Sequence, residues 1–377
     1  MTAGPWLPYG RQHVDQSDLD AVARVLSGDW LTTGPAVAAF EEALTMEVGA
    51  PCVSVTSGTA ALHVAYAALG IGPGDEVLTS PITFIATASC AALLGATVTF
   101  ADVSDDTLNL DPEAAEAAVT GRTAVVAAVD YAGHPADLQG LRQVADSAGA
   151  RLVEDAAHSI GARYRGDVVG SIADVTTFSF FPTKHLTTAE GGAVAATDTA
   201  VAARARRFAH IGRDPQPRHG ESEGAWWYEM SAFGLNYRLP DVLCALGLSQ
   251  LKRLSAFVQR RTALVARYNE LLADVPGLRL PVSRDDVDAA WHLYAVRVLG
   301  GRRREVFDRL RELGIGVQVN YIPVYWHPVF ADLGYERGMC PVAEAAYEEL
   351  ISLPLFPGMT VADQDRVVEA LRVILTS

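Results

Sequence analysis

The feature that most narrows the fold is an alternation running from residue 52 to residue 155. Short apolar runs at 52–55, 76–79, 97–100 and 123–129 read as strands, and another beginning at Arg151 delivers Glu154 and Asp155 to its carboxyl end. Between them, 60–69, 85–94, 112–119 and 138–148 read as helices, several entered through glycine or polar turns. Parallel neighbouring strands need a crossover, and a helix is the usual one. The order therefore predicts an α/β fold, a mostly parallel sheet with helices on both faces. Ligands of such sheets sit at the carboxyl ends of the strands, which is where the polar residues of interest fall.

The flanking segments fit round that unit. A helix over 17–26, capped by Ser17, and a second over 36–47 precede it, joined by Thr32-Thr33-Gly34-Pro35. That turn reads as a joint between helices or as part of a site wall. Beyond Asp155 come a strand at 175–180, a polar segment holding Lys184, a strand at 193–197 and a basic helix at 199–210. Residues 212–225 are polar and rich in Gly and Pro, and read as a mobile loop. Trp226-Trp227-Tyr228 reads as a substrate platform or as a packing anchor. A long helical region over 240–274 leads to a smaller α+β lobe from Pro281, with strands at 293–298 and 315–319 and helices at 303–313, 342–350 and 362–375. The expected division is a large domain over 1–250, including the N-terminal segment, and a linking helix with a small domain over 251–377.

Composition bounds the function. Half of the 377 residues are hydrophobic, ample for a large core, and the net charge of −15 argues against a nucleic-acid or anionic-membrane surface. It does not forbid a phosphorylated ligand, since backbone N–H groups at helix starts hold phosphate. Cys52, Cys90, Cys244 and Cys340 are far apart and lack CxxC spacing, so they read as reduced thiols. With no apolar targeting core at the start and no run long enough to span a bilayer, the expectation is a soluble, cytoplasmic protein.

The chemistry lies in four places. Ser57-Gly58-Thr59, between a strand and a helix, reads as a phosphate cradle or as an ordinary N-cap. Ser179 adds another hydroxyl, and Phe84 reads as a stacking surface for a flat ring or as a core aromatic. Glu154-Asp155-Ala156-Ala157-His158 brings an acid and an imidazole within one turn. Asp155 bonded to a ring nitrogen would keep it protonated and make the ring an electron sink. Asp155 with His158 as a metal pair lacks a third ligand of suitable spacing. Lys184 can attack an aldehyde and, once displaced by a substrate amine, move a proton. Lysine, acid, phosphate turn and ring clamp together are what pyridoxal 5'-phosphate requires.

The same residues carry a resemblance to the DegT/DnrJ/StrS family of sugar aminotransferases, which are fold type I pyridoxal phosphate enzymes. It extends over nearly the whole chain: LTTGP (31–35), TSGTAALH (56–63), GPGDEV (72–77), SPITFIATA (80–88), VEDAAHSIGA (153–162), FSFFPTKHLTTAEGG (178–192), LNYRLPDVLCALGLSQL (235–251) and WHLY (291–294). SPITF, NYIPVY (320–325) and ISLPLFPGMT (351–360) are most similar to the branch that aminates a UDP-linked 4-keto sugar on the pseudaminic acid pathway. The resemblance implies that Lys184 forms a Schiff base with the cofactor and that Asp155 bonds its pyridinium nitrogen. Phe84 would stack on the ring, His158 would lie near its phenolate oxygen, and Ser57, Gly58, Thr59 and Ser179 would hold the phosphate. Asn236 would reach the cofactor phosphate of a neighbouring subunit, so that a homodimer shares its active sites.

Two departures stand out. Ala189 occupies a position where the family usually carries glycine, and Phe181 replaces a histidine expected of the nearest branch. Branches that dehydrate rather than transaminate have a histidine in place of the lysine, and here Lys184 is present. The resemblance thus implies amino transfer from L-glutamate or glutamine to a nucleotide-linked keto sugar, a 4-keto-6-deoxy sugar foremost. The competing expectations are an aminotransferase for a keto cyclitol or a 3-keto sugar of an antibiotic pathway, and a non-catalytic pyridoxal-phosphate-binding regulator.

Overall fold

The computed structural model describes residues 4–214 and 223–376. Five strands follow the predicted alternation: β1 (Cys52–Val55), β2 (Glu76–Thr79), β3 (Thr97–Phe100), β4 (Thr123–Val129) and β5 (Arg151–Asp155). After the short hairpin strands β6 (Arg163–Tyr164) and β7 (Asp167–Val168) come β8 (Val175–Ser179) and β9 (Gly192–Ala196). They build a seven-stranded sheet in the order β1-β9-β8-β5-β4-β2-β3. β9 runs antiparallel to both its neighbours, while the pairs on the β8-to-β3 side are parallel. This is the α/β architecture that the alternation predicts.

Side chains explain the layering. β1, β2 and β9 are buried along their whole length, as strands covered on both faces must be. The helix Gly58–Leu69 buries Ala60, Ala61, Ala65 and Ala68, and these small residues let it lie close to β8 and β9. Gly192 opens β9 where a Cβ would stand 2.5 Å from Ser57 O and 2.7 Å from Phe178 O, so only glycine fits. The reversal between β8 and β9 creates the loop that carries Lys184.

The C-terminal lobe pairs β12 (Tyr294–Val298) with β10 (Leu278–Arg279) and β13 (Leu350–Leu353), all antiparallel. The helices Arg303–Glu312 and Val361–Thr376 bury Val306, Leu310, Leu371 and Ile374 in its core, and Leu7 from the N-terminal segment joins them. β11 (Val287–Asp288) instead pairs with β6, in a separate three-stranded sheet.

Several sequence expectations shift. Asp15, not Ser17, caps the first helix; its carboxylate accepts from Ser17 and Asp18 N–H, and Asp18 closes the capping box. The long helix expected over 240–274 is two helices, Asp241–Leu251 and Leu254–Leu272. At the break, Arg253 bonds Asp15 and Asp18 and tethers the first helix. Residues 315–319 form only two isolated bridges, Ile315 to Leu7 and Gln318 to Ser352, because Leu7 takes the backbone bonds at Gly314 and Gly316. The helix expected to end at Leu350 stops at Glu349, and the buried run Leu350–Leu353 becomes β13. The Thr32–Pro35 turn is a joint: Asp241 accepts Gly34 N at 2.7 Å and Ala36 N at 2.9 Å. Of the loop expected over 212–225, residues 215–222 lie outside the described residues.

Candidate active site

A cavity of about 610 Å³ opens at the carboxyl ends of β5 and β8. Ser57, Gly58, Thr59, Phe84, Asp155, His158, Ser179 and Lys184 all line it. Residues as far apart in sequence as Ser57 and Lys184 thus meet because three strands deliver them to the same end of one sheet. Asn236 is the exception. It is exposed, bridges to His210, and is not part of this wall.

Ser57 caps the helix Gly58–Leu69, its hydroxyl accepting Ala60 N–H at 3.0 Å. The ordinary capping role is therefore real, and it leaves the first helical N–H groups, at Gly58 and Thr59, without intrahelical partners. A Cβ on Gly58 would stand 2.9 Å from Ser179 Cβ, so the space between this turn and Ser179 exists only because residue 58 is glycine. Two amides, two hydroxyls and a helix start form a cradle for an anion. Phe84 is not a core aromatic; it is 56% exposed at the cavity wall, where its ring is free to stack.

Asp155 ends β5 and is buried. Its Oδ1 accepts Ala157 N–H at 3.2 Å and its Oδ2 accepts the Thr87 hydroxyl at 2.6 Å. Burial raises its pKa, while the bond from Thr87, the Ala157 amide and Lys184 act against that rise. Burial pulls the Lys184 amine down to about 8, against Asp155, which raises it, and with Arg261, which lowers it further. A lysine there is neutral often enough to act as nucleophile and base.

The imidazoles of His158, His185 and His292 are held well below their ordinary pKa, chiefly by burial, and are neutral. His158 and His292 have ring centroids 4.4 Å apart. Arg261 is buried beside the Lys184 loop, donating to Thr183 O at 3.0 Å, His292 O at 3.2 Å and Leu355 O at 2.9 Å. It thereby ties that loop to the C-terminal lobe.

Sequence reasoning passed over Tyr9, His292, Thr83 and Gln318 as individual wall residues. Thr83 and His292 sit inside quoted motifs, a usable signal; Tyr9 is in a segment with none. From the segment 321–327, Tyr321, Ile322 and His327 reach the cavity. Trp226, Trp227 and Tyr228 do not line it and are exposed; the Arg213 guanidinium lies over the Tyr228 ring, and most of the loop they were expected to anchor lies outside the described residues. Among the described residues no group of three His, Cys, Asp or Glu could hold a metal ion, and no helix is long and apolar enough to cross a membrane.

The wall fits pyridoxal phosphate: an amine, a carboxylate with lone pairs to spare, an exposed aromatic and an anion cradle stand in one cavity. Comparison with known proteins agrees. The family described as DegT/DnrJ/EryC1/StrS aminotransferase matches residues 12–372. SpsC, a spore coat polysaccharide biosynthesis protein of Bacillus subtilis (strain 168), is 40% identical over 378 residues, covering 98% of this chain and 97% of that one. The PLP form of Spr1654 from Streptococcus pneumoniae, described as a sugar aminotransferase, superposes with a TM-score of 0.92 at 29% identity, covering 98% of this chain and 99% of that one. PseC of Helicobacter pylori, described as an aminotransferase involved in the biosynthesis of pseudoaminic acid, has a TM-score of 0.91 at 27% identity, over 99% of this chain and 100% of that one.

Proposed function

The chain belongs to the DegT/DnrJ/EryC1/StrS aminotransferase family, and from that premise we propose that this pyridoxal-phosphate-dependent sugar aminotransferase moves an amino group from L-glutamate (or glutamine) to a 4-keto-6-deoxy sugar carried on a nucleotide. The observation that carries the reading is the meeting of Lys184, Asp155 and the Ser57–Thr59 turn in one cavity with Phe84 at its wall. When bound, the cofactor supplies an electron sink for the carbanion formed at the carbon that bears the amine.

The chain's own residues do the rest. Asp155 would accept a hydrogen bond from the ring nitrogen and keep it protonated. Gly58 and Thr59 amides, with the Ser57 and Ser179 hydroxyls, would hold the phosphate. The amine of Lys184 would take the proton from the donor's α-carbon and, in the second half of the cycle, return a proton to the acceptor carbon. Besides Phe84 at the ring, Phe181 and Ile322 give the wall apolar surface suited to a deoxy sugar's methyl group. The likeness to SpsC, a spore coat polysaccharide biosynthesis protein, and to PseC, an aminotransferase of pseudoaminic acid biosynthesis, supports a carbohydrate acceptor.

Two copies of the chain would complete the site. Among the described residues the cavity wall holds one lysine, Lys184, and no arginine, although a phosphorylated cofactor and a nucleotide must both bind. Elsewhere Phe233 is fully exposed (101%), with Trp226, Tyr228, Met230 and Leu235 also exposed close by in sequence, an apolar stretch that favours burial against a partner. Asn236 follows it, and Arg238 comes two residues later. In a homodimer this segment would bring Asn236 to the other copy's cofactor phosphate.

The test is a substrate panel. Holoprotein with L-glutamate is offered nucleotide-linked 4-keto-6-deoxy sugars, 3-keto isomers and a keto cyclitol, and aminated products are weighed by mass spectrometry. Amination of the 4-keto nucleotide sugar in preference to the others supports the reading; amination of the cyclitol alone sinks it.

A further inference from the structure

Asp155 is the end of a buried chain of hydroxyl groups. Thr87 Oγ1 donates to Asp155 Oδ2 at 2.6 Å and lies 2.7 Å from Thr83 Oγ1. A hydroxyl has one proton to give. Because Thr87 gives its proton to the carboxylate, the proton between the two threonines comes from Thr83. The chain therefore has a direction, from Thr83 through Thr87 to Asp155. All three are buried, at 2%, 0% and 5% exposure. The backbone of Thr87 is pinned as well, since the Tyr66 hydroxyl donates to Thr87 O at 2.9 Å. The 2.6 Å separation falls within the range of hydroxyl–carboxylate bonds, which are about twice as strong as bonds between neutral groups when the carboxylate is ionised.

Thr83 reaches the cavity wall, whereas Thr87 does not. Anything Thr87 does for the reaction it does through Asp155. With Oδ1 taken by Ala157 N–H and Oδ2 by Thr87, the carboxyl group cannot rotate freely, and its unused lone pairs have fixed directions.

We propose that Thr87 is a positioning residue that fixes the orientation and charge of Asp155, and that Thr83 fixes the direction of the Thr87 proton. The inference rests on the reading that Asp155 bonds the cofactor's ring nitrogen. Without the Thr87 donor, the carboxylate is buried with one hydrogen bond fewer, and it takes up a proton more readily. A protonated Asp155 no longer favours a proton on the ring nitrogen, so the electron sink weakens and the cofactor is held less tightly.

The experiment uses holoprotein with Thr87→Val, Thr87→Ser, Thr83→Val and Asp155→Asn. Three quantities are read: the pH at which the bound cofactor's visible absorbance titrates, the dissociation constant of pyridoxal phosphate, and kcat with L-glutamate and an accepted keto sugar. Thr87→Val keeps the shape and removes the donor. It is expected to lower kcat by about ten- to a hundredfold, weaken cofactor binding and shift the absorbance titration. Thr87→Ser restores all three, and Thr83→Val moves them the same way by less. If Thr87→Val does not fold, the Thr83→Val and Thr87→Ser pair decides. Wild-type titration and kcat in Thr87→Val, or equal loss in Thr87→Ser, would overturn the proposal. A wild-type titration and turnover in Asp155→Asn would instead overturn the reading of Asp155 on which it rests.

Discussion

Tyr321 Oη lies 3.1 Å from His158 Nε2, and the two rings are stacked at 20°. This pairing joins the turn after β5 to a segment of the C-terminal lobe, so both lobes have a hand in the cavity. His158 is neutral, and among the described residues its Nδ1 has no hydrogen-bond partner, so the Tyr321 bond is what fixes the polar edge of the ring. Tyr321→Phe is expected to slow turnover by about tenfold, the worth of roughly one hydrogen bond at a site that needs a fixed ring. Steady-state kinetics with a thermal melt checks this: reduced kcat with a nearly unchanged Tm is the expected pair.

The depressed pKa of Lys184, near 8, makes cofactor capture pH-dependent. Only the neutral amine attacks the aldehyde, so the rate at which apoprotein takes up pyridoxal phosphate should climb with pH and level off above about 8. Asp155 holds the Lys184 pKa up, so Asp155→Asn should move the profile to lower pH. Stopped-flow absorbance measures both curves, and a profile displaced to higher pH in the variant would contradict the assignment.

Ala189, which stands where the family usually has glycine, has φ 66°. The loop after Lys184 thus keeps the left-handed backbone that glycine would favour, with Ala189 N–H donating to Thr187 Oγ1 at 2.9 Å. An L side chain in that region costs about 1–2 kcal/mol, offset in part by glycine's freer unfolded chain. Ala189→Gly should therefore stabilise the protein by about 1 kcal/mol, read as a higher midpoint in denaturant with an unchanged m-value.

Glu154 and Asp130 face each other and are both fully buried. Burial raises both carboxyls, Asp130 to about 7 and Glu154 well above its usual range, even though Ser159 donates to Asp130 at 2.5 Å and Thr176 to Glu154 at 2.9 Å. The sign follows from proton counts. Above about pH 4 the unfolded chain has released protons that the folded pair still holds, so this pair's contribution to stability falls as pH rises toward 7 and beyond. Glu154→Gln removes one of the two titrations. It should melt at a higher temperature than the wild type at pH 8, by something of order 1 kcal/mol, with the gap closing near pH 5.

The strands β1 to β5 were legible because each is a short apolar run closed by a turn, and Asp155 and Lys184 were legible because their chemistry is rare in that order. The break at Arg253 was not. It depends on Asp15 and Asp18, more than two hundred residues away in sequence, and nothing in the helical periodicity marks it. The same holds for 315–319, whose backbone bonds are claimed by Leu7. In the site, local pattern found the residues that touch the cavity from glycine-bearing and polar turns, but not Arg261, a buried cation that among the described residues bonds to carbonyls. Thr87 reads as one more small helix residue until its bond to Asp155 is seen.

The most direct test of the central claim is the visible absorbance of the holoprotein before and after L-glutamate. The yellow band of the Lys184-held cofactor should bleach as the amino group is taken up and return when an accepted keto sugar is added. Lys184→Ala should give no turnover while still binding pyridoxamine phosphate. A wild-type band that glutamate leaves untouched, or turnover by Lys184→Ala at the wild-type rate, would contradict the account.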